Sequence, residues 1–559
     1  MLIRNPAATN CPRNSMLASG GESFGNTNNQ MKGRKEMKTR GSNKWVFAFA
    51  GMVMGMMVFC PAVYGQPKYG GTLVVGSVGD MVGLDPHMVA AESSIMWLTS
   101  IYERLVELNE NNLPMPGLAK KWTISNDGLT YTFNLREGVK FHNGREMTAE
   151  DVVYSYKRML DPKTKSPYIS HIKNINDFKI LDKYTVQFIM KAPSSTFLIF
   201  TANPMYTNAI VPKEEVEKQG GTLNHPVGTG PYKFVEYVPD KHLILEKFKE
   251  YKQPGIPSSG TGGDKPAYID RIKMLPIKDA SVRLMALEKG DIDYDLRVPW
   301  EEFDELKKHS EINVYEGPGL AFYFLGFGVN SSSNKFVRQA AFRRAVGYCL
   351  DLQEIVEGSV FGHSTPNPSL VSAALPFFSE AHKKGYGKNI GKAKELLKEV
   401  GYDGSPIRLS ATKLYLPIYK SVVLIQQMLA EAGINVKLDV MEWPALLSEA
   451  LSGKYDMLCI ADSGPVDPSM AMRWVHSKRN YVGYKNDKLD AFVEKAEILN
   501  DVEARKKLYE QIHEIYLEDA PIIKLFDHSV AMAARKHVKG IRVWPHAANL
   551  RYHLMWLDK

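Results

Sequence analysis

The sequence predicts an α/β fold spread over more than one domain, and two observations carry that prediction. The chain has 559 residues, more than one ordinary hydrophobic core organises. Between residues 393 and 460, helical and extended patterning alternate. Ala393–Val400, Ser421–Ala432 and Pro444–Leu451 read as helices, and Ile407–Ala411, Val436–Val440 and Tyr455–Ile460 read as strands. Strands separated by helices return in the same direction, so a mainly parallel sheet is expected.

The amino-terminal 65 residues differ in character from the rest. They hold eight of the 70 Lys/Arg residues and two of the 62 acids, so 62 basic and 60 acidic residues remain for the body. A body so close to neutral gives no basis for nucleic-acid binding, whatever the overall charge of +8. Residues 32–44 are basic, and Trp45–Phe59 is an uncharged apolar run, shorter than the ~20 residues of a membrane span. Pro61 follows, then Val63 and Gly65 as small residues before Gln66. This is the layout of an export signal cleaved near Gly65-Gln66, and it predicts a periplasmic protein. Cys60 lies between Phe59 and Pro61, without the small preceding residue of a lipid-bearing cysteine, so a lipoprotein is not expected. Residues 1–30 are polar and leave Met31 or Met37 as alternative starts.

In the body, Gly70–Gly76 reads as an entering strand, and Thr130–Arg136 alternates polar and apolar as a half-buried strand does. Thr148, with Asp151 three residues on, is a helix start; Val152–Leu160 continues it and Pro162 ends it. The Gly/Pro/Ser-rich stretch 253–266 predicts an exposed, mobile loop. Residues 504–518 form a last long helix before Pro521, with Ile522–Leu525 and the chain from Val543 onward extended. Only Cys349 and Cys459 lie in the body and no CxxC occurs, so neither a disulfide framework nor a zinc ribbon is expected.

Catalytic signatures fail one by one. The GxSxG string Gly21–Gly25 lies in the leader, where no strand–turn–helix forms around it. His513-Glu514 opens like HExxH, but residue 517 is Leu. Asp291, Asp293, Asp295 and Glu302 have calcium-loop spacing, yet Leu296 stands where the turn needs Gly. The Gly-rich 260–263 stretch lacks the Lys-Ser/Thr ending of a phosphate loop. No metal and no cofactor are expected.

One stretch is more specific. Residues 117–158 place Ala119, Trp122, Asp127-Gly128, Tyr131, Phe133, Leu135-Arg136, Gly138-Val139, Phe141, Asn143-Gly144, Thr148 and Ala149–Val152 in one ordered pattern. That pattern closely resembles the signature of the family-5 solute-binding proteins of peptide, dipeptide and nickel importers. The resemblance runs through most of the body: Gly70–Leu73 with Leu84-Asp85-Pro86-His87, Gly228–Phe234, Leu287 to Asp293, Arg343 to Val356, Lys394 to Tyr402, and Asn480 to Asp490. It implies a two-lobed, periplasmic-binding-protein-like α/β fold of type II, hinged around a central ligand cleft, with an extra small domain inserted in lobe one. Lobe one is then 66–106, 192–294 and 522–559, the insert is 107–191, and lobe two is 295–521. The signature falls in the insert, so its residues are expected to specify the fold rather than to bind ligand.

The resemblance further implies a receptor, not an enzyme. It would close on a small ligand, work as a monomer, and deliver its cargo to ABC permease subunits in the inner membrane. Ligand backbone is expected between Ala90-Ala91-Glu92 of lobe one and Ala461-Asp462-Ser463-Gly464 of lobe two, as a strand adds to a sheet edge. Trp443 falls at a position that lines the family pocket. Peptide-binding members hold the α-ammonium group with an Asp four residues before a Pro. Here Gly464 stands four before Pro468, Asp462 lies two residues earlier and Asp467 directly precedes the Pro. Asp462 is the candidate anchor, and a capping or loop role is the alternative for either Asp. Di- and oligopeptides lead as ligands; an opine, a glycan, haem and chelated nickel stay open. From another class, so does a secreted peptide or glycan hydrolase, whose mark would be two carboxylates or a nucleophile–base pair converging in the cleft.

Overall fold

A computed structural model of the protein describes residues 66–545 and 551–559. The chain divides into one unit over Met1–Tyr64 and another over Gly65–Lys559, and the described residues belong to the second. The expectations for the leader, its apolar run and its cleavage site therefore lie outside the described residues. Among those described, no helix is long and apolar enough to cross a membrane.

The alternation in Thr130–Leu135 becomes a strand that buries Tyr131, Phe133 and Leu135. It sits in a four-stranded antiparallel sheet in the order Ala119–Ile124, Thr130–Leu135, Thr185–Met190, Ile175–Asp182. The helix Ala149–Leu160 covers this sheet. Its start is fixed as the sequence predicts, with the Thr148 N–H donating to the Asp151 carboxylate at 2.9 Å. Tyr156 meets Phe188 edge-on at 4.8 Å, and Phe188 meets Phe133 in the same way at 5.1 Å. The signature residues Tyr131, Phe133 and Leu135 are thus core of the small sheet.

The motif Leu84-Asp85-Pro86-His87 fastens the helix of this small sheet to the main body. The buried Asp85 carboxylate accepts two hydrogen bonds from Arg158 (2.9 and 2.5 Å) and one from the Leu223 N–H (2.9 Å). His87 lies beside the same guanidinium (2.9 Å), and its other ring nitrogen lies 2.8 Å from the Ala209 carbonyl.

The main sheet has eleven strands. Ten lie in the order Val436–Val440, Ile407–Ala411, Met457–Asp462, Ile312–Phe327, Ile522–Arg535, Tyr294–Asp295, Thr72–Ser77, Arg271–Pro276, His242–Lys247, Tyr232–Val238. The eleventh, Thr365–Pro366, pairs with Ile522–Arg535. Parallel pairing is confined to two blocks. One joins Thr72–Ser77 to Arg271–Pro276 and to Tyr294–Asp295, and the other joins Ile407–Ala411 to Val436–Val440 and to Met457–Asp462. All other pairs are antiparallel, so the sheet is mixed rather than mainly parallel. The helix–strand alternation of residues 390–462 had announced only one of the two blocks.

Two long strands link the blocks. Ile312–Pro318 pairs with Ser529–Arg535 beside the first block, and Phe322–Gly326 pairs with Ile522–Asp527 beside the second. Between them, from Pro318 to Phe322, the register shifts. Gly319 sits in this break, and a Cβ there would lie 2.4 Å from the His528 carbonyl oxygen, so only glycine permits the approach. Ile522–Arg535 begins at the boundary expected at 521/522.

Two local expectations are corrected. In the stretch 253–266 only the first half is exposed. Gly260–Gly263 are buried, and the Thr261 N–H donates to the Leu108 carbonyl at 2.9 Å. Lys265 is buried beside Glu103 and Glu107 at 3.5 and 3.6 Å, so charge pairing anchors a segment whose composition predicts mobility. Residues 541–545 carry no strand; the terminal ribbon pairs Val538–Lys539 with Trp556–Leu557 instead. Cys349 and Cys459 are both free and buried, and burial pushes each thiol up to about 12.

Candidate ligand cleft

Loops that leave the carboxyl ends of parallel strands collect ligand-binding groups, because the next segment must turn away and opens a crevice there. Both parallel blocks present such ends to one cavity of about 860 Å³. Val78, Lys278 and Leu296 follow the three strands of the first block, and Leu414, Trp443 and Ser463 follow those of the second. The register break of the crossing strands forms the floor, through Gly319–Ala321 and His528–Ala531.

Most of the residues expected from sequence line this cavity. Ala90 and Glu92 lie on the first wall; Trp443, Ala461, Asp462, Ser463 and Gly464 lie on the second. Trp443 opens the helix Trp443–Ser452 and is half-buried, edge-on to Tyr415 at 5.0 Å. Gly464 has φ +94°, and a Cβ there would lie 2.9 Å from the Ala321 nitrogen, so the 463–465 turn presses against the floor only as glycine.

Two expected residues stand elsewhere. Ala91 does not line the cavity; it is the extended residue before the helix Glu92–Ile101, and its carbonyl accepts from Ser94 and Ile95. Glu92 already belongs to that helix, so the extended stretch on this wall is shorter than the three residues expected. Asp467 does not line the cavity either. It is fully buried, accepts from Arg505 at 2.7 Å and from the Ser469 N–H at 3.0 Å, and caps the short helix Pro468–Ala471. Burial alone would raise its carboxyl, but the charge and hydrogen bond of Arg505 hold it below the usual carboxylate range. Asp467 therefore organises the loop behind the wall.

Asp462 is already engaged. Its Oδ2 accepts from Arg473 Nη2 at 2.6 Å and from Trp474 Nε1 at 2.5 Å. On the opposite wall Arg297 pairs with Glu92 at 2.9 Å. Burial holds the cavity imidazoles His171 and His528 down to about 4, so both are neutral near pH 7. Arg297, Arg473, His171 and Trp300 escaped the sequence reading. The residues following Asp295 at a strand end offered a signal for Arg297, whereas nothing local marks Arg473 or His171, which reach the cavity from short helical turns. No group of three or more His, Cys, Asp or Glu is placed to hold a metal ion among the described residues.

The family described as bacterial extracellular solute-binding proteins, family 5 (middle portion), matches residues 114–482. The chain belongs to that family. It is therefore a solute-binding protein of ABC importers with the two-lobed fold of its relatives. The glutathione-binding protein GsiB of Salmonella typhimurium is 26% identical over 520 residues, covering 90% of this chain and 97% of GsiB. The ABC transporter substrate-binding protein CtaP of Listeria monocytogenes superposes with a TM-score of 0.78 at 25% identity, covering 88% of this chain and 100% of CtaP. The periplasmic binding protein DppA of Helicobacter pylori, solved with the peptide STSA, gives 0.71 at 27% identity, covering 88% and 99%. Members of this family bind small ligands and deliver them to ABC permeases, and the relatives are substrate-binding proteins rather than enzymes.

Proposed function

We propose that the chain is an exported, monomeric receptor that captures a di- or oligopeptide between its lobes and delivers it to inner-membrane ABC permease subunits. One observation carries the choice of a peptide. The strand Met457–Asp462 pairs with Ile407–Ala411 only through Met457 and Leu458, so its edge from Cys459 onward is open on that side where Ala461 and Asp462 meet the cavity. An open edge takes an extended backbone by main-chain hydrogen bonds, without reading side chains. Trp443, Tyr415, Trp300 and Tyr323 supply broad apolar walls for those side chains. The volume lies within the ~300–1,000 Å³ of small-ligand pockets. Relatives named for glutathione and solved with a peptide support the same class.

In this reading the lobes exchange in the middle of the crossing strands. Ile312–Pro318 and Ser529–Arg535 move with lobe one, and Phe322–Phe327 and Ile522–Asp527 move with lobe two, so the register break at Gly319 is the hinge. The four-stranded sheet is the core of the inserted domain, 107–191. The leader, residues 1–65, directs export and is removed. The cleft binds without turnover, because its acids are occupied: Glu92 by Arg297, Asp462 by Arg473 and Trp474, and Glu301 by Lys420 at 2.9 Å. Hydrolysis would need a free acid–base pair converging on the ligand.

Native mass spectrometry of the protein recovered from the periplasm, after expression of the full chain, tests the reading. Added mass that denaturation releases as a series of short peptides is the expected result. Release of a single non-peptide compound would contradict it.

A further inference from the structure

Given that this cavity is the ligand site, we propose that Arg473 makes the lobe-two wall a subsite for a carboxylate of the ligand, where the sequence alone points to an ammonium site at Asp462. Asp462 is 3% exposed and lies behind the guanidinium, which holds it together with the Trp474 indole. The Arg473 side chain remains 41% exposed on the cavity. A guanidinium carries five N–H donors, and among the described residues Arg473 donates one hydrogen bond, to Asp462. The other N–H groups have no hydrogen-bond partner among the described residues.

An incoming ammonium group would have to displace a short, charge-assisted pair and sit beside a like charge. An incoming carboxylate meets a planar fork whose geometry matches its two oxygens. A second cavity group near this wall brings no negative charge to compete with a carboxylate. His171, on the short helix Ile169–Ile172, lines the cavity and stacks on Tyr206 at 4.2 Å. Its Nδ1 is shielded from solvent and has no hydrogen-bond partner in the protein. Burial first, then the positive charge of Arg473, keeps this imidazole neutral, and Tyr206 feels the same guanidinium.

The test uses protein expressed from the full chain, freed of bound solute, as wild type and as Arg473→Ala. Each is offered a small-molecule cell extract in three forms: untreated, acetylated at its amines, and amidated at its carboxylates. Capture is read by native mass spectrometry and by the shift in melting temperature. Wild type should capture from untreated and acetylated extract and lose at least about tenfold of its capture from amidated extract, the loss of one charge-assisted contact. Arg473→Ala uncovers Asp462 and should reverse the order, keeping amidated solutes and losing acetylated ones. Arg473→Gln keeps a donor for Asp462 without the charge; should the alanine variant fail to melt cooperatively, loss of the carboxylate preference in Arg473→Gln supports the subsite. Wild-type capture that acetylation abolishes, or that neither treatment alters, overturns it. A casein digest run in parallel separates the two readings. Carboxylate-dependent capture from extract without capture from digest keeps the subsite and removes the peptide assignment. No capture from untreated extract overturns both.

Discussion

Arg505→Ala will destabilise the protein by about 3–5 kcal/mol, the cost of leaving a buried charge without its partner. The pair it breaks is almost fully enclosed, with Arg505 at 3% and Asp467 at 0% side-chain exposure. Urea unfolding followed by tryptophan fluorescence measures the loss, and a change below about 0.5 kcal/mol would contradict it. Because the folded-state pKa of Asp467 is depressed, the pair contributes its full stability above the unfolded carboxyl value near ~3.9 and loses it as pH falls through the folded value. The gap between wild type and Arg505→Ala should therefore be constant near neutrality and close below about pH 4. The effect reaches function, since Asp467 caps the short helix Pro468–Ala471 that follows the loop carrying Ser463 and Gly464 at the cleft.

Ala90→Trp separates binding from folding. Ala90 is exposed at the first wall of the cavity, so an indole there projects into the ligand volume without disturbing a core. Ligand affinity should fall at least about tenfold, or ~1.4 kcal/mol, while stability stays within ~0.5 kcal/mol of wild type. Titration calorimetry with the solute recovered from the wild-type protein, beside a melting curve, reads both. Unchanged affinity would place the ligand elsewhere.

Much of the fold was legible because it rests on local patterns. The alternation in Thr130–Leu135, the Thr148/Asp151 helix start and the strand Ile407–Ala411 each carry their own signal, and each appears where the pattern places it. The mixed sheet was not legible, since pairing of Ile312–Phe327 with Ile522–Arg535 joins segments some 200 residues apart in sequence and no local period records it. Buried Gly260–Gly263 misled for the opposite reason: a composition that announces a loop says nothing of what Lys265 pairs with. At the cleft, the resemblance brought Ala90, Glu92, Trp443 and Ala461–Gly464 to the wall. It could not separate Asp462 from Asp467, because an aspartate's role is set by the arginine that meets it. Arg473 meets one at the cavity and Arg505 meets the other in the core.

The central claim is that two lobes close on a captured solute about the register break at Gly319. Small-angle X-ray scattering of the solute-free protein, before and after addition of small-molecule cell extract, tests it most directly. The radius of gyration should fall on addition and return when the solute is stripped. A protein that captures solute with no change in its radius of gyration would contradict closure, and the crossing strands would then be a rigid floor rather than a hinge.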